Sequence, residues 1–304
     1  MTGRWRRLGR LALDASAAPW ATTHAALPVA EATDEGAWNI YLSARDGDGR
    51  ARIGRSRLTL HPSPRLAPLE AQPVLDLGPL GAFDDSGVTV SSLVKVNERR
   101  YLYYTGWSRG VTVPFYLAAG VAVSDGGLPF RRVSLAPLLD RNAVDPFLTA
   151  SPHVLIDNRQ WRMWYVSGTA WSPAPNRPRH AYHIRYAESA DGVTWHRDGH
   201  VCVDYATPDE HAFARPCVLR DTDAYRMWYA VRGNAYRIGY AESTDGRAWR
   251  RLDDNRGLLP EGDGWDAEMV EYPWVFDSEG SRYMLYNGND YGKTGMGLAI
   301  WEPA

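Results

Sequence analysis

Tyr225-Arg-Met-Trp-Tyr229, followed by Tyr236-Arg-Ile-Gly-Tyr-Ala-Glu-Ser-Thr-Asp-Gly-Arg-Ala-Trp249, repeats an earlier part of the same chain. There Trp161-Arg-Met-Trp-Tyr165 precedes Tyr182-His-Ile-Arg-Tyr-Ala-Glu-Ser-Ala-Asp-Gly-Val-Thr-Trp195. Weaker copies keep the order. Trp38-Asn-Ile-Tyr41 comes before Ala51-Arg-Ile-Gly54, and Tyr101-Leu-Tyr-Tyr104 before Ala119-Gly-Val-Ala-Val-Ser-Asp-Gly126. Tyr283-Met-Leu-Tyr286 comes before Gly295-Met-Gly-Leu-Ala299. The five aromatic starts are separated by 63, 60, 64 and 58 residues. A fixed period of this kind is the mark of a repeat architecture.

Each copy reads as β structure. Side chains alternate, β-branched and aromatic types dominate, and Asp-Gly pairs punctuate the runs. The third copy predicts strands at Ser151 to Leu155, Trp161 to Val166 and Tyr182 to Glu188, with a fourth ending at Trp195. Four antiparallel strands repeated radially make a propeller. The expectation is therefore an all-β, five-bladed β-propeller forming one domain over 1–304. Its copies lie near 14–62, 80–135, 143–198, 206–253 and 264–302. The last copy lacks a fourth strand, and the segment at 4–13 is placed to supply it, closing the ring and covering an edge. Trp38, Tyr101, Trp161, Tyr225 and Tyr283 recur too regularly to be a ligand box and read as packing between blades. Asp125, Asp191 and Asp245, each followed by glycine, read as hairpin turns.

Composition bounds the function. Lys+Arg 34 against Asp+Glu 36 gives a net charge of -2, without the basic surplus that nucleic-acid binding needs. No run approaches 18 apolar residues, so no membrane-spanning helix is expected. The apolar stretch Leu8 to Leu13 is interrupted by Arg10 and followed by Asp14, too short and broken for a signal peptide. Cys202 and Cys217, the only cysteines, make neither a disulfide framework nor a zinc site. The expected setting is the cytoplasm. The chain carries 13 Trp and 17 Tyr against 6 Phe, rings whose polar tips suit a polar ligand.

Three inner strands share a proline, at Ser151-Pro152, Arg215-Pro216 and Tyr272-Pro273. Seven residues before each stand Asp145, Asp209 and Asp266, and the second copy, anchored on Ser92, gives Asp85. The first copy offers Ala21, Thr22, Thr23 and His24 instead. An Asp at a strand start also holds turns by accepting backbone N–H groups, so a structural reading of these aspartates stands beside the functional one.

This pattern resembles the five-bladed glycosidases: the arabinanases and xylosidases of glycoside hydrolase family 43, and the invertases and levansucrases of families 32 and 68. Val144-Asp-Pro-Phe147 is similar to their Asp-Pro at the start of an inner strand, and Val270-Glu-Tyr-Pro-Trp274 to the Glu-x-Pro acid motif of family 43. The resemblance implies a glycosidase-like enzyme with acidic residues around the channel mouth. Two departures stand out. The first copy has no aspartate, and the Glu-x-Pro match falls in the fifth copy rather than the third. Asp85, Asp145 and Glu210 would restore the order Asp, Asp, Glu, shifted by one copy; Asp145, Asp266 and Glu271 form another set.

Glycoside cleavage needs one protonated carboxyl and one ionised one, and acids crowded in a half-desolvated mouth titrate apart. On that logic Asp85 or Asp145 is the candidate nucleophile or base, and Glu210 or Glu271 the candidate acid. Trp107, Trp171, Trp265 and Trp274 offer flat faces for sugar rings. Arg215 and Arg232 suit a carboxylate or phosphate on the substrate, which favours an anionic or nucleotide-linked sugar. His24, His211, Asp209, Asp266, Glu268 and Asn287 complete the expected substrate-binding set. His24, His211 and an aspartate would suit a divalent metal, but no tight metal motif is present and no cofactor is expected. Two other readings stay open. One is a repurposed propeller enzyme in glycan or natural-product biosynthesis, using His and Asp for acid–base work. The other is a non-catalytic glycan-binding module.

Overall fold

The computed structural model describes residues 3–127 and 129–304; Met1, Thr2 and Leu128 lie outside it. The described chain is built almost wholly of strands in antiparallel meanders. The strand β1 (Gly3–Leu11) stands apart from the first of these. β2 (Thr23–Ala32), β3 (Trp38–Arg45), β4 (Ala51–Thr59) and β5 (Arg65–Leu66) pair in sequence. So do β6 (Gly87–Val96), β7 (Arg99–Arg109), β8 (Phe115–Asp125) and β9 (Arg131–Arg132). The third meander holds β10 (Thr149–Asp157), β11 (Gln160–Ser172), β12 (Arg179–Ser189) and β13 (Trp195–His196). A short β14 (Val201–Val203) also pairs with β12. The fourth has β15 (Ala212–Arg220), β16 (Tyr225–Arg232), β17 (Tyr236–Ser243) and β18 (Arg250–Arg251). In the last, β19 (Glu271–Ser278), β20 (Ser281–Asn287) and β21 (Met296–Pro303) receive β1 as the outermost strand.

The recurring phrases explain these elements. The repeated aromatics pack between neighbouring meanders: Trp38 meets Phe276 at 4.4 Å, Tyr101 meets Trp161 at 5.0 Å, and Trp164 meets Tyr225 at 6.0 Å. The Asp-Gly pairs turn the chain after the third strand. Asp191 Oδ1 accepts the Val193 and Thr194 amides at 2.8 and 2.7 Å, and Asp245 Oδ1 those of Arg247 and Ala248 at 2.8 and 2.9 Å. The following Gly192 and Gly246 take φ of +76° and +77°, a region that costs a side-chain-bearing residue but not glycine.

Each inner strand breaks its ladder near its start, and this break positions the site. The register slips between Ala26 and Val29, Val90 and Ser92, Ala150 and His153, Ala214 and Cys217, and Glu271 and Trp274. Leu27, Ser151, Arg215 and Tyr272 sit in these breaks at φ between +48° and +55°. Such bulges re-aim side chains and are favoured next to binding sites. The seam between the last and first meanders is sewn by Asn287. Its Oδ1 accepts the Leu27 amide at 2.8 Å, and its Nδ2 donates to the Ala25 and Gly295 carbonyls at 2.6 and 2.9 Å.

Candidate functional site

The second strand of four meanders carries a tyrosine at one register position: Tyr104, Tyr165, Tyr229 and Tyr286, with Leu42 in the first meander. Each of these tyrosines is held by a carboxylate, and each carboxylate by at least one arginine. Asp84 accepts from the Tyr104 hydroxyl at 3.0 Å and from Arg132 at 2.7 Å. Asp145 accepts from Tyr165 at 3.0 Å, Ser167 at 2.6 Å, Arg197 at 2.7 Å and Arg185 at 3.2 Å. Asp266 accepts from Tyr286 and from Arg7 on β1, both at 2.9 Å. In the fourth meander Tyr229 donates to Asp253 at 2.7 Å, while Arg251 bridges Asp253 and Glu210.

These clasps place most of the expected acids. Asp145 is completely buried, its oxygens filled by four donor side chains. Glu210 is bound by Arg251, Arg237 and the Ala206 amide. Burial alone would raise its pKa, but those donors outweigh it and hold it near 2, which makes Glu210 a poor proton donor. Asp85 is not the equivalent of Asp145. Ser92 matches His153 in register rather than Pro152, so the equivalent residue is Asp84. Asp85 instead caps a turn, accepting the Gly81 amide at 3.0 Å and the Ser86 hydroxyl at 2.9 Å. Asp209 and Glu268 are exposed at the rim. Asn287 is consumed by the seam.

One position behaves differently. Opposite the residue that follows the second-strand tyrosine, the five inner strands carry Ala26, Thr89, Ala150, Ala214 and Glu271. Glu271 is the only acid among them. It is 0% exposed, and among the described residues neither carboxyl oxygen meets a donor in hydrogen-bond geometry, although the Tyr272 side chain is close enough to favour the charged form. Burial pushes its pKa well above the ordinary 4.5, against the opposing pull of the Tyr272 side chain and the Arg232 guanidinium. Burial of this kind favours the protonated carboxyl.

Tyrosines surround it. Tyr182, at the start of β12, meets Tyr236, at the start of β17, hydroxyl to hydroxyl at 2.7 Å. The Tyr236 ring packs at 6.5 Å from Tyr272 and 6.2 Å from Tyr291. Tyr182, Tyr272 and Tyr291 remain partly exposed. Burial raises the Tyr182 phenol to about 12, so it stays a hydroxyl donor. Arg232, ending β16, donates to the Tyr291 hydroxyl at 2.8 Å. His24, with φ of +65°, contacts the Thr23 hydroxyl at 3.0 Å; burial, reinforced by Arg45 and Lys293, lowers its pKa to about 4. His180 stacks flat on Tyr182 at 4.9 Å and is also lowered to about 4, chiefly by burial. His211 lies beside the Asp209 carbonyl and is lowered by burial. Apart from Tyr291, in the turn between β20 and β21, these residues come from inner-strand starts, second-strand ends or third-strand starts, at one end of the first, third, fourth and last meanders.

The four tyrosines escape a reading based on charge. Their signal is the Tyr after Glu271 in Val270-Glu-Tyr-Pro273 and the paired Tyr182 and Tyr236 opening the two strongest repeats. Arg215 goes the other way. It is fully buried, donating to the carbonyls of Val90 at 2.6 Å and Pro28 at 2.8 Å with its guanidinium over Trp274. It staples strands of the first, second and fourth meanders rather than facing solvent. Trp107 is partly exposed and lies across Gly87, where a Cβ would meet its indole nitrogen at 2.0 Å. Among the described residues no group of three or more His, Cys, Asp or Glu is arranged to hold a metal ion, and no helix is long and apolar enough to cross a membrane.

No protein-family model matches the chain. Two proteins of Mycobacterium tuberculosis, uncharacterized protein MT1551 of strain CDC 1551 / Oshkosh and uncharacterized protein Rv1502 of strain ATCC 25618 / H37Rv, are each 43% identical to it over 298 residues. Both matches cover 98% of this chain and 99% of the relative. Among solved structures, a glycoside hydrolase superposes with a TM-score of 0.71 at 17% identity, covering 100% of this chain and 93% of that one. A thermostable family-43 glycoside hydrolase gives 0.67 at 17% identity, with 93% and 90% covered. The endo-arabinase of Bacteroides thetaiotaomicron VPI-5482 gives 0.66 at 13%, with 94% and 96% covered. The fold is thus the β-propeller of the glycoside hydrolases, as the resemblance to families 43 and 32 implies.

Proposed function

The chain belongs to the family of those two mycobacterial proteins, and we propose that it is a carbohydrate-active enzyme whose five meanders are the blades of one ring. Its site is the ring mouth, and Glu271 is its proton donor. The observation that carries this reading is the burial of Glu271 with no donor in hydrogen-bond geometry among the described residues, at a ring position where the other four strands carry Ala or Thr. Glycosidic cleavage needs an acid that is still protonated near neutrality, and burial supplies that condition here. Tyr182, Tyr272 and Tyr291 present rings and hydroxyls suited to a sugar. Likeness of fold alone does not fix an activity, so the chemistry rests on this residue.

A second reading follows from the same ring. Retaining and inverting glycosidases pair two carboxyls across the bond, yet Asp145, Asp266 and Glu210 are bound by arginines. A lone protonated acid beside tyrosine hydroxyls also suits group transfer or rearrangement of a sugar in a biosynthetic step. Incubation with a panel of aryl glycosides and oligosaccharides, read by chromophore release and product mass, separates the two. Release that Glu271→Gln abolishes supports hydrolysis. Equal release by wild type and Glu271→Gln overturns the proton-donor assignment, and conversion without hydrolysis supports the second reading.

A further inference from the structure

Many arginines drawn into the fold are matched to acids, while the fully buried Arg215 is matched to backbone carbonyls instead. Arg100 reaches Glu31, Arg132 reaches Asp84, Arg197 reaches Asp145 and Arg251 reaches Glu210, at 2.6 to 2.7 Å. Arg232 is different. It is half-buried, and among the described residues no carboxylate lies within 4.0 Å of its guanidinium. Two aromatic faces fix it instead, with ring centroids of Tyr236 and Tyr291 at 5.4 and 5.9 Å. One nitrogen, Nη1, is spent on the Tyr291 hydroxyl, and the other N–H donors have no acceptor among the described residues.

The remaining N–H donors of Arg232 are open to solvent, and so to a ligand. A guanidinium held by ring faces keeps its plane but gains no counter-charge, and its fork of donors matches a carboxylate or phosphate. Glu271 is within electrostatic reach, but burial pushes its pKa well above the ordinary range and so disfavours its negative charge. Arg45, from the first meander, also lacks a carboxylate partner among the described residues and faces the same mouth through its influence on Tyr272. Asp209 and Glu268 stand exposed at the rim, and among the described residues neither lies within 4.0 Å of the Arg232 or Arg45 guanidinium.

We propose that Arg232 is the anion-recognising residue of the mouth, taking a carboxylate or phosphate carried by the sugar that Glu271 addresses. The proposal rests on the reading of the mouth as a sugar site and names the class of sugar. It leaves Arg215 out, because its donors are spent on backbone carbonyls.

Binding of glucuronate, glucose 6-phosphate, glucose and inorganic phosphate is measured by titration calorimetry on the full chain at low ionic strength. The expected result is at least tenfold tighter binding of one anionic sugar than of glucose, weakening with added salt. Arg232→Gln brings that sugar down to the affinity of glucose, and Arg232→Lys restores part of the preference. Whether the acid is carboxylate or phosphate is read from which of the two sugars binds. Equal affinity for charged and neutral sugars overturns the proposal, as does no binding of any sugar, or inorganic phosphate binding as tightly as glucose 6-phosphate. Glu271→Gln separates it from the catalytic reading. A charge preference that survives in a chain whose turnover ignores Glu271→Gln removes the proton donor and keeps the anion site.

Discussion

The guanidinium of Arg215 reaches the carbonyl of Val90 at 2.6 Å, across the hub and with no acid beside it among the described residues. Burial lowers its pKa to about 9, still charged at neutral pH. It ties β15 to β6 and, through Pro28, to β2. Arg215→Met leaves these buried carbonyls without a donor, and the expected loss of stability is about 2–4 kcal/mol. Urea unfolding measures it. A variant as stable as wild type would mean that the hub tolerates the loss of this staple.

Asp145 and Asp85 make a second comparison. Asp145→Asn removes the charge that balances Arg185 and Arg197 in a buried site, an expected loss of about 3–5 kcal/mol. Asp85→Asn disturbs only a turn and costs about 1 kcal/mol or less. Thermal and urea unfolding of the two variants should rank them in that order. The reverse order would return Asp85 to the centre of the site.

Glu271 gives stability a recognisable dependence on pH. Its pKa in the folded state lies above the ordinary 4.5, so the folded state binds the extra proton. The contribution is full below about pH 4.5 and is lost as pH rises toward the folded-state value, by up to about 1.4 kcal/mol per pH unit. Glu271→Gln lacks this dependence. The stability of wild type relative to Glu271→Gln should therefore fall steadily above pH 4.5 in urea titrations. A flat difference from pH 4 to 8 would show that Glu271 ionises as an ordinary surface acid does.

The blades are legible in the sequence because their aromatics and Asp-Gly turns recur at a near-constant period, and packing between blades demands that recurrence. The functional residues are harder to read for the same reason. Asp145 and Asp266 repeat because each is one third of a clasp, and the other two thirds, Tyr165 with Arg197 and Tyr286 with Arg7, repeat with them. A carboxylate that recurs together with a tyrosine and an arginine is tied to both. Counting back from Ser92 lands on Asp85 in place of Asp84 because Ser92 matches His153 in register, and the residue that matches Pro152 is Ser91, with no proline to mark it. Glu271 is visible in the Glu-x-Pro motif, but its isolation is not, since exclusion of donors is a property of the packed ring. Arg215, on an inner strand, and Arg232, at the end of a second strand, both read as anion ligands in the sequence, and what surrounds their donors in the packed ring sets them apart.

The pairing of β1 with β21 brings Trp5 against Trp301 at 5.3 Å and Arg7 against Asp266. A ribosome delivers the first partner of each pair long before the second. The clasp of the last meander therefore stays incomplete while the preceding ones emerge, and β1 finds its place beside β21 only once that final strand has been made.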